Sequence, residues 1–289
     1  MMSPLAVALV LAAACAHAGW NLFAKRAGDG GVLFVWLTSV TSLVVYLPVA
    51  AVTALVDPVR PGWTEVLVVG VSAGLHLVYF VLLQRGYAVG DMSVVYPLAR
   101  GTGPLFTVLV SVLLLDERPG ALGLAGAAAV VLGVFVIGWG SAPATSGRTR
   151  WGGAAFGVLT GVVITLYTLW DAHAVTTLTL SPLLLDWGNN LGRTLLVAPH
   201  ALRRRAAAVA LWRAQWRTVL AVGVLSPLAY ILVLFAMRLA PVSLVAPARE
   251  LSIVVGGVAA WLLLGEPNPL RRLTGAAIVL AGVAAIAVS

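Results

Sequence analysis

Apolar stretches about twenty residues long recur along almost the whole chain, separated by short clusters of charge, proline or glycine. Read against that punctuation they number ten, at approximately 5–24, 32–56, 64–88, 92–115, 121–140, 152–170, 182–198, 218–237, 242–264 and 272–288. A helix that crosses the hydrocarbon core of a bilayer needs about 20 such residues, so 289 residues accommodate these spans with little left for a soluble domain. Composition agrees. Apolar residues make up 61% and charged residues 10% of the chain, against about 45–50% and about 25% in soluble domains. No single soluble core could hide that excess. The expected class is an all-α integral membrane protein.

The seventh segment is the least apolar, because Asp186, Asn189, Asn190 and Arg193 interrupt it. Their spacing of three, four and seven residues puts them on one helical face, which turns inward while the rest meets lipid. The first segment contains LAAACAHA (11–18), which superficially offers a processing site. Nothing basic precedes Lys25, so it is counted as the first span. The lone Cys15 and the unpaired spacing of the histidines speak against a disulfide or a metal site, and no cofactor is expected. The formal net charge of +8 is assigned to membrane topology and not to nucleic acid.

The chain repeats itself. SVVYP (93–97) and SLVAP (243–247) match at an offset of 150, as do Trp20-Asn21 and Trp170-Asp171. After one indel the offset is 149, pairing Arg100 with Arg249, LLLDE (113–117) with LLLGE (262–266), and Gly126 and Gly133 with Gly275 and Gly282. The expected architecture is ten transmembrane helices as two inverted five-helix repeats, 1–146 and 147–289. Five spans per half is an odd number, so the second half enters the membrane upside down relative to the first. Inverted repeats are characteristic of secondary transporters, in which two equivalent halves exchange conformations around a midplane site.

Loop charge sets the expected orientation. Odd-numbered loops carry twelve basic residues and even-numbered loops three, which by the positive-inside rule makes the odd loops cytoplasmic and places both termini outside. The location expected is the plasma (inner) membrane. Five of the twelve stand in 199–217, where Trp212 with Trp216 and Arg213 with Arg217 recur at four-residue spacing, suiting a short helix in the headgroup layer.

AHAGWNLFAK (16–25), GDMSVVYPLARGTGPLFTVLVSVLLLDE (90–117) and APVSLVAPARELSIVVGGVAAWLLLGE (240–266) resemble the EamA-type members of the drug/metabolite transporter superfamily. The resemblance covers nearly the whole chain and is weakest over 182–218. It implies a ten-span 5+5 inverted fold and translocation of a metabolite or drug, most often export. It does not imply a particular substrate.

Pro97 and Pro247 stand about five residues into the fourth and ninth spans, where each frees a backbone carbonyl and is expected to kink its helix. Arg100 and Arg249 follow them, roughly 10–12 Å below a surface, near the middle of the bilayer. An arginine there requires water, a counter-ion or an anionic substrate. Internal neutralisation by Asp186, Glu250 or Asp171 is one reading. Bidentate capture of a carboxylate or phosphate is the other. Glu250 and Asp186 are also candidate proton carriers, because burial and a nearby arginine act on a carboxylate's proton affinity in opposite senses. Trp20, Asn21, Tyr79, Tyr96, Trp170, Asn189, Asn190 and Tyr230 complete the candidate substrate site, although Trp20 and Trp170 also suit an interfacial belt. His17 and His76 either titrate or pack as hydrogen-bonded core residues. Glu117 and Glu266 close their spans as caps or gates. Gly153, Gly157 and Gly161 form a double GxxxG for close helix packing.

The function expected is secondary active transport of a small organic solute, anionic or zwitterionic, by alternating access, with protons as coupling ion and the lipid bilayer as the surrounding partner. A flippase for a lipid or lipid-linked substrate is the alternative. Enzyme readings fail on context. GVSAG (70–74) matches a nucleophile elbow but lies in an apolar helical run instead of a strand–turn–helix, and no acidic pair stands within a span as a metal-binding transferase would need.

Overall fold

The computed structural model describes residues 2–27, 31–56, 62–90, 92–138, 150–264 and 269–289. Among them the first repeat comprises α1 (Pro4–Ala27), α2 (Gly31–Val56), α3 (Trp63–Val89), α4 (Met92–Leu114) and α5 (Gly120–Gly138). The second comprises α6 (Arg150–Thr176), α7 (Pro182–Arg203), α8 (Arg205–Met237), α9 (Val242–Ala248), α10 (Leu251–Leu264) and α11 (Pro269–Val288). Helix is the form in which a single segment satisfies its own backbone in lipid. Seven of these helices are individually long and apolar enough to cross a membrane. The boundary expected between the halves falls among 139–149, outside the described residues.

The helices of one half meet those of the other reciprocally. α1 packs on α8 and α10, while its counterpart α6 packs on α3 and α4; α2 meets α7 and α8, while α7 meets α2 and α3; α5 meets α11. Such a network is unchanged when the halves are exchanged, which is the property of a pseudo-twofold axis. The α5–α11 seam shows its direction. A β-carbon at Gly126 would lie 2.7 Å from the carbonyl oxygen of Gly282, and one at Gly133 2.8 Å from that of Gly275. Ascending α5 is therefore descending α11, as inverted halves require. Gly133→Leu should overpack this seam and cost about 1–3 kcal/mol, read as a lower unfolding temperature in detergent.

Two expectations are corrected. The ninth span is not one helix: α9 ends at Ala248 and α10 begins at Leu251, with Arg249 and Glu250 between. Pro247 has no N–H to return to the preceding turn, and the junction tightens into three-residue hydrogen bonds, from Glu250 N–H to Pro247 O, Ser252 to Arg249 O and Ile253 to Glu250 O. α4, with Pro97 and Pro104, stays helical throughout. The seventh and eighth spans run further than expected, to Arg203 and back to Arg205, so that the stretch 199–217 forms the end of α7 and the first part of α8, with non-helical backbone at Gln215. Trp212 before the break and Trp216 just after it are exposed.

Large apolar side chains such as Leu47, Leu55, Leu113 and Leu195 are exposed, as a lipid-facing surface requires. Polar donors point inward to the carbonyls of facing helices: Ser42 to Gly223, Tyr46 to Val224, Trp187 to Leu43 and Trp170 to Val68. The seventh-span stripe turns inward too, with Asp186, Asn189 and Asn190 buried.

A buried polar band at the centre of the bundle

α6 presses its small residues onto α4. A β-carbon at Gly157 would come within 2.8 Å of Leu98 Cβ, and one at Gly161 within 3.0 Å of Gly103 N. Thr165 adds a hydrogen bond to Gly103 O. This contact fixes the turn of α4 that carries Arg100.

Arg100 and Arg249, matched in the repeats, converge on one carboxylate. Arg100 Nε lies 3.4 Å from Glu250 Oε2, and Arg249 Nε donates to Glu250 Oε1 at 3.4 Å. Glu250 is 1% exposed. Arg100 also donates through an Nη to His17 Nε2 at 2.7 Å, which makes His17 a neutral imidazole with its Nε2 lone pair turned to the guanidinium. The guanidinium stands 5.9 Å from the centre of the Tyr96 ring. His17 packs edge-on to Trp20, and its carbonyl accepts from the Asn21 amide. Trp20, Asn21, Tyr96, Arg100, Arg249 and Glu250 are thus one cluster, built from α1, α4 and the α9–α10 break.

A second cluster joins α3, α6, α7 and α8. His76 stacks against Tyr167 with ring centres 4.2 Å apart and meets Tyr230 edge-on, and Tyr79 meets Tyr167 edge-on. Tyr230 O–H donates to Asp171 Oδ2, and the Asn189 amide donates to Ser72 Oγ at 3.3 Å. Asp186 belongs to neither central arginine. The Asn190 amide donates to its Oδ2, and Arg193 donates to Asn190 Oδ1 at 2.6 Å, so Arg193 is its partner through that amide. Trp170 is spent on α3, where its Nε1–H bonds Val68 O.

Glu117 lies away from the band. Its two carboxylate oxygens accept from the backbone N–H groups of Val242 and Ser243 at 3.0 and 2.9 Å, tying the end of α4 in one half to the start of α9 in the other. Glu117→Ala should expose two backbone donors and lower stability by about 0.5–2 kcal/mol, measured by thermal unfolding. Glu266 lies outside the described residues.

Reading the residues alone passed over Ser72 and Tyr167. Ser72 is one helical turn before His76, and Tyr167 stands one turn before Asp171 and 150 residues after His17, so the repeat offset and the four-residue spacing together would have found them.

Buried polar atoms without a hydrogen-bond partner concentrate in this band: Arg100 Nε, Arg249 Nη2, Glu250 Oε2, Asp171 Oδ1 and Asn189 Oδ1. Unpaired buried groups cost free energy, and polar residues inside a membrane bundle mark solute and ion paths. Comparison with known proteins accords with that chemistry. The EamA-like transporter family matches residues 4–139 and again 151–288. No curated protein matches the chain. A protein of known crystal structure has the same fold, with a TM-score of 0.76 over 98% of this chain and 96% of its own at 18% sequence identity. The chain belongs to the EamA-like transporter family and is a multi-pass membrane transporter of small solutes.

Proposed function

We propose that the chain exports a small organic anion or zwitterion by alternating access, driven by protons, and that Arg100 and Arg249 hold the substrate's carboxylate or phosphate. The observation that carries this reading is the charge balance: two buried guanidinium groups share the single carboxylate of Glu250. Arg249 Nη2 and Arg100 Nε have no hydrogen-bond acceptor. A planar two-oxygen anion matches both the surplus charge and the forked donors. Tyr79, Tyr96, Tyr167 and Tyr230 supply apolar walls with hydroxyl edges beside that charge. The break between α9 and α10 supports movement, because a discontinuous helix at the repeat interface is where transporters of this build hold their substrates.

The direct test is thermal unfolding of the purified protein against mono- and dicarboxylates, phosphate monoesters and neutral amides of matched size. A ligand that binds the native state alone raises the unfolding temperature. Stabilisation by anions and not by the amides is expected. Equal response to both overturns the assignment. Orientation is tested separately. The twelve-to-three excess of basic residues in the odd loops supports termini outside the cytoplasm, so a C-terminal reporter active only in the cytoplasm should stay silent. A strong signal reverses the orientation.

A further inference from the structure

Asp171 is the one acid of the band with no arginine bonded to it or to an amide that holds it, among the described residues. It is 0% exposed. Oδ2 accepts from the Tyr230 hydroxyl, the Ser72 hydroxyl also faces the carboxylate, Oδ1 has no close hydrogen-bond partner, and His76 Nε2 stands 3.9 Å from Oδ2. Glu250 is flanked by two guanidinium groups, and Asp186 is linked through Asn190 to Arg193. A proton carrier must be able to exist uncharged, and Asp171 meets that condition better than either. Its repeat counterpart is Asn21, an uncharged side chain of the same shape.

His76 supplies the second observation. Its Nδ1 lies 2.9 Å from Ser72 O and 3.0 Å from the Asn189 amide nitrogen. The carbonyl requires a proton on Nδ1, whereas the amide N–H requires a lone pair there. One ring nitrogen thus has a partner for each of the two neutral tautomers. With the proton on Nε2, the imidazole turns an N–H toward the Asp171 carboxylate and accepts from Asn189. With the proton on Nδ1, it donates to Ser72 O and turns a lone pair toward Asp171.

We propose that Asp171, His76 and Tyr230 form a proton-binding site in which Asp171 takes up one proton on Oδ2, the oxygen that faces His76 Nε2, and the His76 tautomer follows the charge on Asp171. Uptake converts the carboxylate to the carboxylic acid by forming one O–H bond with a proton from water. The imidazole stays neutral, its N–H passing from Nε2 to Nδ1 by exchange with water, so one proton is bound in all and release reverses both changes. The charged and titratable groups around the site are His76 from α3, Asp186 and Arg193 from α7, Tyr230 from α8, Tyr167 from α6 itself, Arg249 from the α9–α10 junction and Arg100 from α4. The proposal rests on the transporter reading for the use made of the proton, and its measurement requires no substrate.

Infrared pH-difference spectra of the protein in vesicles of phosphatidylethanolamine and phosphatidylglycerol should show a carboxylic C=O band that appears on acidification. The other carboxylates of the chain also protonate, so the site is read as the component that Asp171→Asn removes from the wild-type difference spectrum and Asp186→Asn leaves in place. Identical difference spectra for wild type and Asp171→Asn overturn the proposal. If Asp171→Asn does not fold, Tyr230→Phe, which keeps the ring and removes the donor, decides the matter. The pH at which the band appears should shift, and an unchanged pH overturns the assignment. Imidazole ¹⁵N spectra of histidine-labelled protein should show His76 passing from the Nε2–H to the Nδ1–H form over the same pH range. A single tautomer throughout, or a doubly protonated ring, overturns the tautomer step. Failure of the anion test above leaves the C=O band where it is, and loss of the band's dependence on Asp171 leaves anion binding untouched, so the two readings fail separately.

Discussion

Arg100→Ala and Arg249→Ala are each expected to weaken anion binding by roughly ten- to a hundred-fold while the protein still inserts and folds. The loss of one hydrogen bond to a charged group is worth about 1.5–3 kcal/mol, and about 1.4 kcal/mol is one decade in affinity. The two variants differ in what they leave behind. Removing the Arg100 side chain orphans the His17 lone pair, which accepts from it at 2.7 Å, and bares the Tyr96 ring. Removing that of Arg249 leaves only Glu250 with one partner fewer. Arg100→Ala should therefore lose more stability than Arg249→Ala for a similar loss of affinity. Arg→Lys at either position should rescue incompletely, because an ammonium group does not reproduce the planar two-pronged contact. Titration with the best anion from the thermal screen measures both effects. Wild-type affinity in both alanine variants would make the two arginines structural counter-ions of Glu250.

Much of this architecture is legible in the chain because membrane insertion leaves few options. Apolar length sets the number of spans, and the offset of 150 then 149 exposes the duplication. The same offset pairs Arg100 with Arg249 before any coordinates are known. It does not reveal that one lies within a helix and the other between two, since both follow a proline and the difference is set by how each turn is packed. α4 is clamped along Val95 and Leu98 by the small face of α6. Polar residues were legible as a set and not as pairs. Asp186 has the right spacing to face inward, yet its amide-bridged partner is on its own helix, because Asn190 and Arg193 stand four and seven residues further along the same face. Glu250 pairs across the halves instead, a relation that depends on how α4 and α9 cross. His76 and Asp171 lie 95 positions apart in helices without a repeat relation, so their proximity follows only from the packing of α3 against α6.

Glu250→Gln should move stability and anion affinity in opposite directions. The wild-type carboxylate is the internal partner of both guanidinium groups, within 3.4 Å of each Nε and almost wholly buried. Removing one member of a buried ion pair leaves an uncompensated charge and costs about 3–5 kcal/mol. Here two cations lose the same anion, while the glutamine keeps the volume and one oxygen acceptor, so the loss belongs to charge and not to a cavity. The same substitution removes the group that competes with the substrate for the arginines, so anion affinity should rise. Added anion should then recover much of the lost unfolding temperature, by the linkage between ligand binding and stability. The double variant Glu250→Gln with Arg249→Ala should lose less stability than the sum of the single losses, because it buries one cation fewer and the three groups share one network. Thermal unfolding of the four proteins, with and without anion, reads every term of this cycle. Additive losses, or a Glu250→Gln variant that binds anions more weakly than wild type, would show that Glu250 does not compete with the substrate for Arg100 and Arg249.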